Sequence, residues 1–407
     1  MRVCSNWRAL VAALCAAAAL AGCGASPAPG LSSAASKAAE QQLKLRYLQA
    51  LVRKRPEHWR ARIRLASLYT AAEQHREAFA SLREAAAISP RNVGLHAALG
   101  EAADTVGYSD WVFYSWQQVA RLAPGDPLAR LRLAQLYREL GWMKDAAAQL
   151  AAAERFAPGS LELLKEQASL SAAAGSPAQT RRWAQQMVQK YPYSPYGYSL
   201  LADLAAGAKR WREAVDYGKL AIARAPKEPT FLIRQAQYEM LRSDAPDPQA
   251  ALLYLEQARR LSPDDPDLHY WTGFGLRLSG RSEEALQEFE AAYRQAPQRQ
   301  GLGINLAELY RQSGRTAEAD RIVRDYKQRE QAEQHRRAVA TRVWVQPLSR
   351  EAHVEMARVH LQAGEPGLAL IELLAARRLD PARRTDEATL REALRKQERD
   401  PSSLAPL

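Results

Sequence analysis

The chain has 407 residues, with 57 Lys and Arg against 45 Asp and Glu, a formal net charge of +12. Hydrophobic residues make up 47%, Ala leads them and Phe numbers only 6, a composition that with its many Leu and Arg favours helix. Runs that alternate like strands are nearly absent, which excludes a β architecture and predicts an all-α fold.

The cations are spread along the sequence and form no Lys/Arg block, so a solvated helical surface is preferred to a nucleic-acid or anionic-lipid footprint. The length would suit two or three ordinary domains, but a repeat array escapes that count because it grows by adding units.

Residues 1–22 read as a signal peptide. Arg2 and Arg8 supply a positive start, and Ala9 to Leu20 supply an apolar run of about a dozen residues, shorter than the ~20 a membrane span needs. Leu20-Ala21-Gly22-Cys23 follows, and this resembles the bacterial lipobox. The resemblance implies cleavage before Cys23 and lipidation of its sulfur. Two or more acyl chains hold a protein stably on a bilayer. The same resemblance implies that Gly24 after the cysteine, where Asp would signal inner-membrane retention, favours the outer membrane in a cell that has one. Cut there, the mature chain keeps one of the three cysteines (Cys4, Cys15, Cys23) and has no disulfide framework or cysteine metal site. Residues 23–36 are small and rich in Pro and Ser, as suits a flexible tether.

Residues 37–58 read as a lone capping helix ending at Pro56. From Trp59 the chain repeats. Pro90, Pro124, Pro158, Pro192 and Pro226 recur every 34 residues. Taken as position 32, they start units at Trp59, Val93, Pro127, Leu161 and Pro195, then at Pro229, Pro266, Gln300 and Arg350. Each unit predicts two helices and a tight turn. Position 8 is always small: Ala66, Gly100, Ala134, Ala168, Ala202, Ala236, Gly273, Ala307 and Ala357. Position 20 is usually Ala, with Val112 and Thr180 departing. Small residues let two antiparallel helices approach, and a Leu there would over-pack by ~1–3 kcal/mol. In the unit from Pro266, Asp265 is the predicted N-cap, Ser279-Gly280-Arg281 the turn, and Gly273, Ala285, Ala292, Phe289 and Leu276 the contact between helices.

Period, small residues, Leu at position 7 (Leu65, Leu99, Leu133, Leu201, Leu306), aromatics at Tyr69, Tyr137 and Tyr310, and the closing Pro resemble the tetratricopeptide repeat family over about four-fifths of the chain. The resemblance implies an α-solenoid of about nine repeats, a right-handed superhelix with the first helix of each pair lining the concave side.

Two units depart from the pattern. The unit from Pro229 carries three extra residues at Ser243 to Asp247, read as a tolerated surface insertion. The unit from Gln300 lacks its closing Pro, so its second helix is expected from Thr316 to about Ala340, solvated or, as the sharper reading, a docking helix. Residues 59–341 form the main array. Arg342 to Ser349 make a seam before the last pair, which ends at 383, and 384–407 form a capping helix and a tail that frays from Asp400.

The seven histidines form no metal spacing; His353 and His360 share a helical face but are too few for a site. No nucleotide-binding or hydrolase motif occurs, so no cofactor and no enzyme activity are expected. Trp111, Phe113, Tyr114 and Trp116 are read as inter-helix core with a partner anchor as the alternative, and Tyr191, Tyr193, Tyr196 and Tyr198 as turn packing. The concave positions 2, 5, 6, 9, 12 and 13 include Arg60, Arg64, Arg132, Arg138, Arg234, Arg277, Arg311 and Arg358, interrupted by Glu101, Asp104, Asp203 and Glu308. A guanidinium row suits carboxylates, which predicts protein partners with acidic segments. The family's Lys/Asn carboxylate clamp is not reproduced at position 9, where Ser67, Glu101 and Gln135 stand. The expected role is a lipid-anchored scaffold at the cell envelope. The alternative is an accessory that binds glycan or a cell-wall enzyme, which tryptophans on the concave face would favour. An exported address argues against nucleic acid.

Overall fold

The computed structural model describes residues 33–243, 245–299, 301–380, 386–399 and 403–404. Cys23 and the signal peptide lie outside them. The described residues form helices without strands, so the all-α expectation holds. They fall into two compact units: the described residues of 33–133 with those from 348 onward, and the described residues of 134–347.

In the first unit α1 (Ser33–Lys54) is followed by the pairs α2 (Trp59–Ala71) and α3 (His75–Ile88), and α4 (Val93–Thr105) and α5 (Ser109–Leu122). Then α6 (Pro127–Glu139) begins, and it runs across the division. The chain returns with α18 (Arg350–Gln362), α19 (Pro366–Leu379) and α20 (Glu387–Lys396). Leu45, Leu48, Leu51 and Val52 of α1 pack on Ala61, Leu65 and Leu68 of α2. At the other end Leu390, Ala393 and Leu394 of α20 cover Ala357, Leu361, Leu370 and Leu373. The terminal pair therefore groups with the first repeats. The 34-residue period carries no sign of this, because the period reports only neighbours along the chain.

The second unit continues with α7 (Met143–Glu154), α8 (Leu161–Ala173), α9 (Pro177–Lys190), α10 (Pro195–Gly207) and α11 (Trp211–Arg224). After these come α12 (Pro229–Leu241), α13 (Pro248–Leu261), α14 (Pro266–Leu278), α15 (Ser282–Gln295), α16 (Leu302–Gln312) and α17 (Thr316–Val345). Helix α17 runs five residues beyond the predicted Ala340. Buried Val339 and Val343, four apart on one face, hold it in place, and Pro347 disfavours helix at the residue before it. In the inserted loop Asp247 caps α13 by accepting from Ala250 N at 2.9 Å.

The packing rule read from position 8 is visible in the core. Ala66, Ala134, Ala168, Ala202, Ala236, Ala307 and Ala357 are all 3% exposed or less. Where position 8 is Gly, position 24 is a large aromatic: Gly100 faces Trp116 and Gly273 faces Phe289, with a Cβ at either site meeting ring atoms at 3.0 Å. Where position 8 is Ala, position 24 is Leu in four repeats (Leu82, Leu150, Leu255, Leu373), all buried. Thr180, in place of the usual Ala, is 1% exposed and satisfies its hydroxyl by donating to Ser176 O at 2.9 Å and pairing with Ser171 Oγ at 2.9 Å.

Position 15 turns the chain from first helix to second through the left-handed region. Gly107, Gly141, Gly175, Gly280, Gly314 and Gly364 hold it with φ between 67° and 77°, and Glu73 and Lys209 hold it at 58° without being glycine. Consecutive repeats are also tied at their closing prolines. The Pro158 carbonyl accepts from Lys190 Nζ at 2.9 Å, Pro192 O from Arg224 Nε at 2.6 Å, and Pro90 O from His96 Nε2 at 2.9 Å.

Candidate functional surface

Positions 6 and 9 of the first helices build a polar ladder between neighbouring repeats. In a 34-residue period, residues 31 apart lie three positions apart on adjacent first helices, within side-chain reach. In the first unit Arg132 Nη2 donates to Glu101 Oε1 at 3.0 Å. In the second, Gln135 Nε2 donates to Glu166 Oε1 at 3.0 Å, and Arg234 donates to Asp203 Oδ2. Arg138 lies 3.6 Å from the other Glu166 oxygen, and Tyr238 OH donates to Asp203 Oδ1 at 2.6 Å. Burial raises the Glu101 carboxyl above the ordinary range; Arg132 opposes this and nearby Asp104 adds to it. Burial likewise lifts the Tyr238 phenol to about 12, against the pull of Arg234.

The predicted arginines divide by environment. Arg132, Arg138 and Arg234 are half-buried rungs of this ladder. Glu101 and Asp203, which the sequence shows as interruptions of the basic row, pair with it directly. Arg60 and Arg358 are exposed, and Arg60 lies over the Trp59 ring at 4.5 Å. Arg64 is exposed too. Arg311, also exposed, has Asp320 at 3.8 Å, a surface pair worth ~0–1 kcal/mol. Arg277 is half-buried over Phe274 at 5.2 Å. Arg60, Arg64, Arg132 and Arg358 belong to the first unit and the other four to the second.

In α14 the ladder positions change character. Trp271 and Phe274 stand at positions 6 and 9, half-buried, with ring centroids 5.6 Å apart. Arg299 lies over both Tyr270 at 4.2 Å and Trp271 at 5.6 Å. Trp271 Nε1 is buried with no hydrogen-bond partner among the described residues. The position count that selects Arg234 also selects Trp271 and Phe274, so this aromatic pair was legible in the sequence though not singled out.

The other residues singled out serve packing or local pairing, except Tyr193, which the sequence reading assigns to turn packing and which is exposed. Trp111, Phe113 and Trp116 are buried in α5. Tyr198 is buried beneath Arg224, and Tyr191 OH donates to Gly159 O at 3.0 Å, while Tyr193 is 90% exposed. His353 Nδ1 meets Glu372 Oε2 at 2.5 Å and His360 Nδ1 meets Glu365 Oε2 at 2.7 Å, separate pairs within the terminal repeat. Among the described residues no group of three or more His, Cys, Asp and Glu is placed to hold a metal, and no helix is long and apolar enough to cross a membrane.

Tetratricopeptide repeat family models match residues 276–342 in one case, and residues 45–93 and 241–300 in the other. A comparison with curated proteins finds no match. Among solved structures the chain is similar to a tetratricopeptide repeat protein of Parabacteroides merdae, with 16% identity, a TM-score of 0.52, and coverage of 62% of this chain and 98% of that one. A thermophilic repeat protein of Thermus thermophilus aligns at 21% identity and TM-score 0.39 over 45% of this chain and 98% of its own. Pseudomonas aeruginosa pilF aligns at 19% and 0.41 over 53% and 96%. The chain thus carries tetratricopeptide repeats and folds as a solenoid of paired helices.

Proposed function

We propose that the protein is a lipid-anchored, non-enzymatic scaffold of the bacterial cell envelope, held to the outer membrane through Cys23, whose repeats bind protein partners of an envelope assembly. Secretion, pilus, polysaccharide-export and outer-membrane biogenesis machines are the candidate settings. The observation that carries the binding half is the first-helix face, which offers charged and aromatic side chains at fixed positions along successive repeats. Support for the anchor comes from the order of positive start, apolar run, small residues and cysteine at the N-terminus.

The two halves are tested separately. Cys23→Ala in cells fed an alkyne palmitate analogue should lose the label and leave the membrane fraction; an unchanged membrane fraction sinks the anchor. For the partner, Arg311→Glu with Arg358→Glu reverses exposed charges at positions 12 and 9 and leaves the ladder standing. In-cell crosslinking followed by pulldown should then lose the captured protein. Reversing Arg132 or Arg138 is a poorer test, because each is tied to a carboxylate of a neighbouring repeat and its loss disturbs the stack.

Trp271 and Phe274 favour a second reading, in which this part of the face takes a glycan against its aromatic rings. Trp271→Ala should then abolish binding to cell-wall glycan fragments while sparing protein capture.

A further inference from the structure

The turn and second helix of the second repeat hold an arginine in a site built for it. Asp110, in the first turn of α5, has a side chain with no solvent exposure, and Arg399 is 3% exposed. Arg399 Nη1 and Nη2 donate to the two Asp110 oxygens at 2.7 and 2.8 Å. The remaining three N–H groups are also satisfied. Nε donates to Ser403 Oγ at 3.1 Å, Nη1 to Gln397 Oε1 at 2.9 Å and Nη2 to Ser403 O at 2.7 Å. The guanidinium lies over the Tyr108 ring at 4.4 Å. All five donors of an arginine are used, and the planar fork is matched by a carboxylate; an ammonium reproduces neither.

The backbone around the arginine is read as well. Trp111 Nε1 donates to the Ser403 carbonyl at 2.7 Å, and Gln397 Nε2 donates to Gly107 O at 2.8 Å. At the rim Arg76 pairs with Glu398. These are the parts of a peptide-recognition site: a buried anchor residue, a captured carbonyl and a charged edge. The segment filling it comes from the same chain, 289 residues away. Beside it the terminal repeat touches the second repeat directly, where a Cβ on Gly367 would meet Gly107 O at 3.0 Å.

We propose that the Asp110 pocket is a binding site for an arginine-bearing peptide segment, occupied in cis by Gln397, Arg399 and Ser403, and that these residues form a latch that such a segment can displace. The inference stands apart from the envelope reading and from the first-helix face.

The test uses the full chain carrying Arg399→Ala, which removes the anchor and vacates the pocket. A fluorescent synthetic peptide spanning residues 396–407 is titrated by anisotropy. Saturable binding is expected to Arg399→Ala. It should be at least ~10-fold weaker to the wild-type chain, whose own tail competes, to Arg399→Ala with Asp110→Asn, and for a peptide with Lys in place of the arginine. No binding to a variant of wild-type helix content, or equal binding in all four cases, overturns the proposal. Should Arg399→Ala lose helix, the wild-type chain answers through amide exchange of residues 397–404. Faster exchange on adding excess peptide supports the latch, and unchanged exchange overturns it. A wild-type dimer that becomes monomeric on Arg399→Ala would assign the occupant to a second copy and overturn occupation in cis.

Discussion

Gly273 is the sharpest place to test the claim that helix pairs are matched by size. A Cβ added there sits 3.0 to 3.1 Å from three ring atoms of Phe289, which is fully buried. The optimum for carbon contacts is ~3.5–4.0 Å, so the ring must retreat into neighbours that are themselves packed. Over-packing of this kind costs ~1–3 kcal/mol, and Ala gains ~0.8–1.0 kcal/mol over Gly in a helix. Gly273→Ala should therefore destabilise by roughly 1 kcal/mol, with a spread from near zero to 2. In a Phe289→Leu background the same change recreates the Ala/Leu pairing of four other repeats and should stabilise by ~1 kcal/mol. The two effects differ in sign, so the double-mutant cycle should show coupling of about 2 kcal/mol. Gly207 is the control: it ends α10 with nothing within 4 Å of its virtual Cβ, so Gly207→Ala should stabilise slightly. Because a repeat array need not unfold in one step, amide exchange in α14 and α15 is the appropriate readout, beside the urea midpoint. Ala at 273 stabilising equally beside Phe and beside Leu would refute the size rule.

Glu73→Gly and Lys209→Gly each relieve a left-handed backbone at φ 58°. Each should raise stability by ~0.5–1 kcal/mol in chemical denaturation, the steric gain exceeding the entropy of a free Gly. Burial holds His96 below the ordinary His range, opposed by its hydrogen bond to Pro90 O and assisted by Arg121. The unfolded chain then takes up a proton first, so this stability is present above about pH 6.5 and is lost as pH falls below it. The melting-temperature gap between wild type and His96→Gln should narrow between pH 7.5 and 5; a constant gap refutes the assignment. The phenols of Tyr238 and Tyr310 are both pushed up to about 12, chiefly by burial, with Glu290 adding to it at Tyr310. Their contribution is complete below pH 10 and lost as pH rises from there through 12. Burial also raises Tyr254, Tyr270 and Tyr293, so ultraviolet titration should show a lagging group of phenols, and Tyr238→Phe should remove one of its latest members.

Much of the fold is legible because its rules are local. The closing prolines set the period, and position 8 sets which faces meet. The Gly at position 15 marks the turn in six repeats, though exposed Glu73 and Lys209 take the same conformation within the same turn hydrogen bonds and carry no residue signature of it. The end of α17 was missed because burial of Val339 and Val343 is tertiary. The docking of the terminal repeat against the second was missed for a stronger reason. Arg399 and Asp110 are charged residues near a chain end and in a helix's first turn, where both would ordinarily be solvated. The tail was expected to fray from Asp400, yet Ser403 and Leu404 are both held, one by Trp111 and the other against the core of the terminal repeat.

The ladder also changes what the net charge can mean for binding. A row of arginines read one helix at a time looks like a basic groove. Its strongest members, Arg132, Arg138 and Arg234, are each neutralised by a carboxylate from a neighbouring repeat, and a half-buried pair gives up little of its field to an incoming ligand. An acidic segment would have to displace Glu101, Glu166 or Asp203 to reach them, which leaves a carboxylate behind without its partner. On the proposed reading, specificity within each unit falls where its ladder is interrupted: at exposed Arg60 and Arg358 in the first unit, and at exposed Arg311 and the aromatic pair of α14 in the second. A partner of the second unit would then need an acidic group for Arg311 and an apolar or ring-bearing group to meet Trp271 and Phe274. Uniform acidity alone would make a poor ligand, and a polyglutamate peptide should fail to compete for whatever protein this face captures.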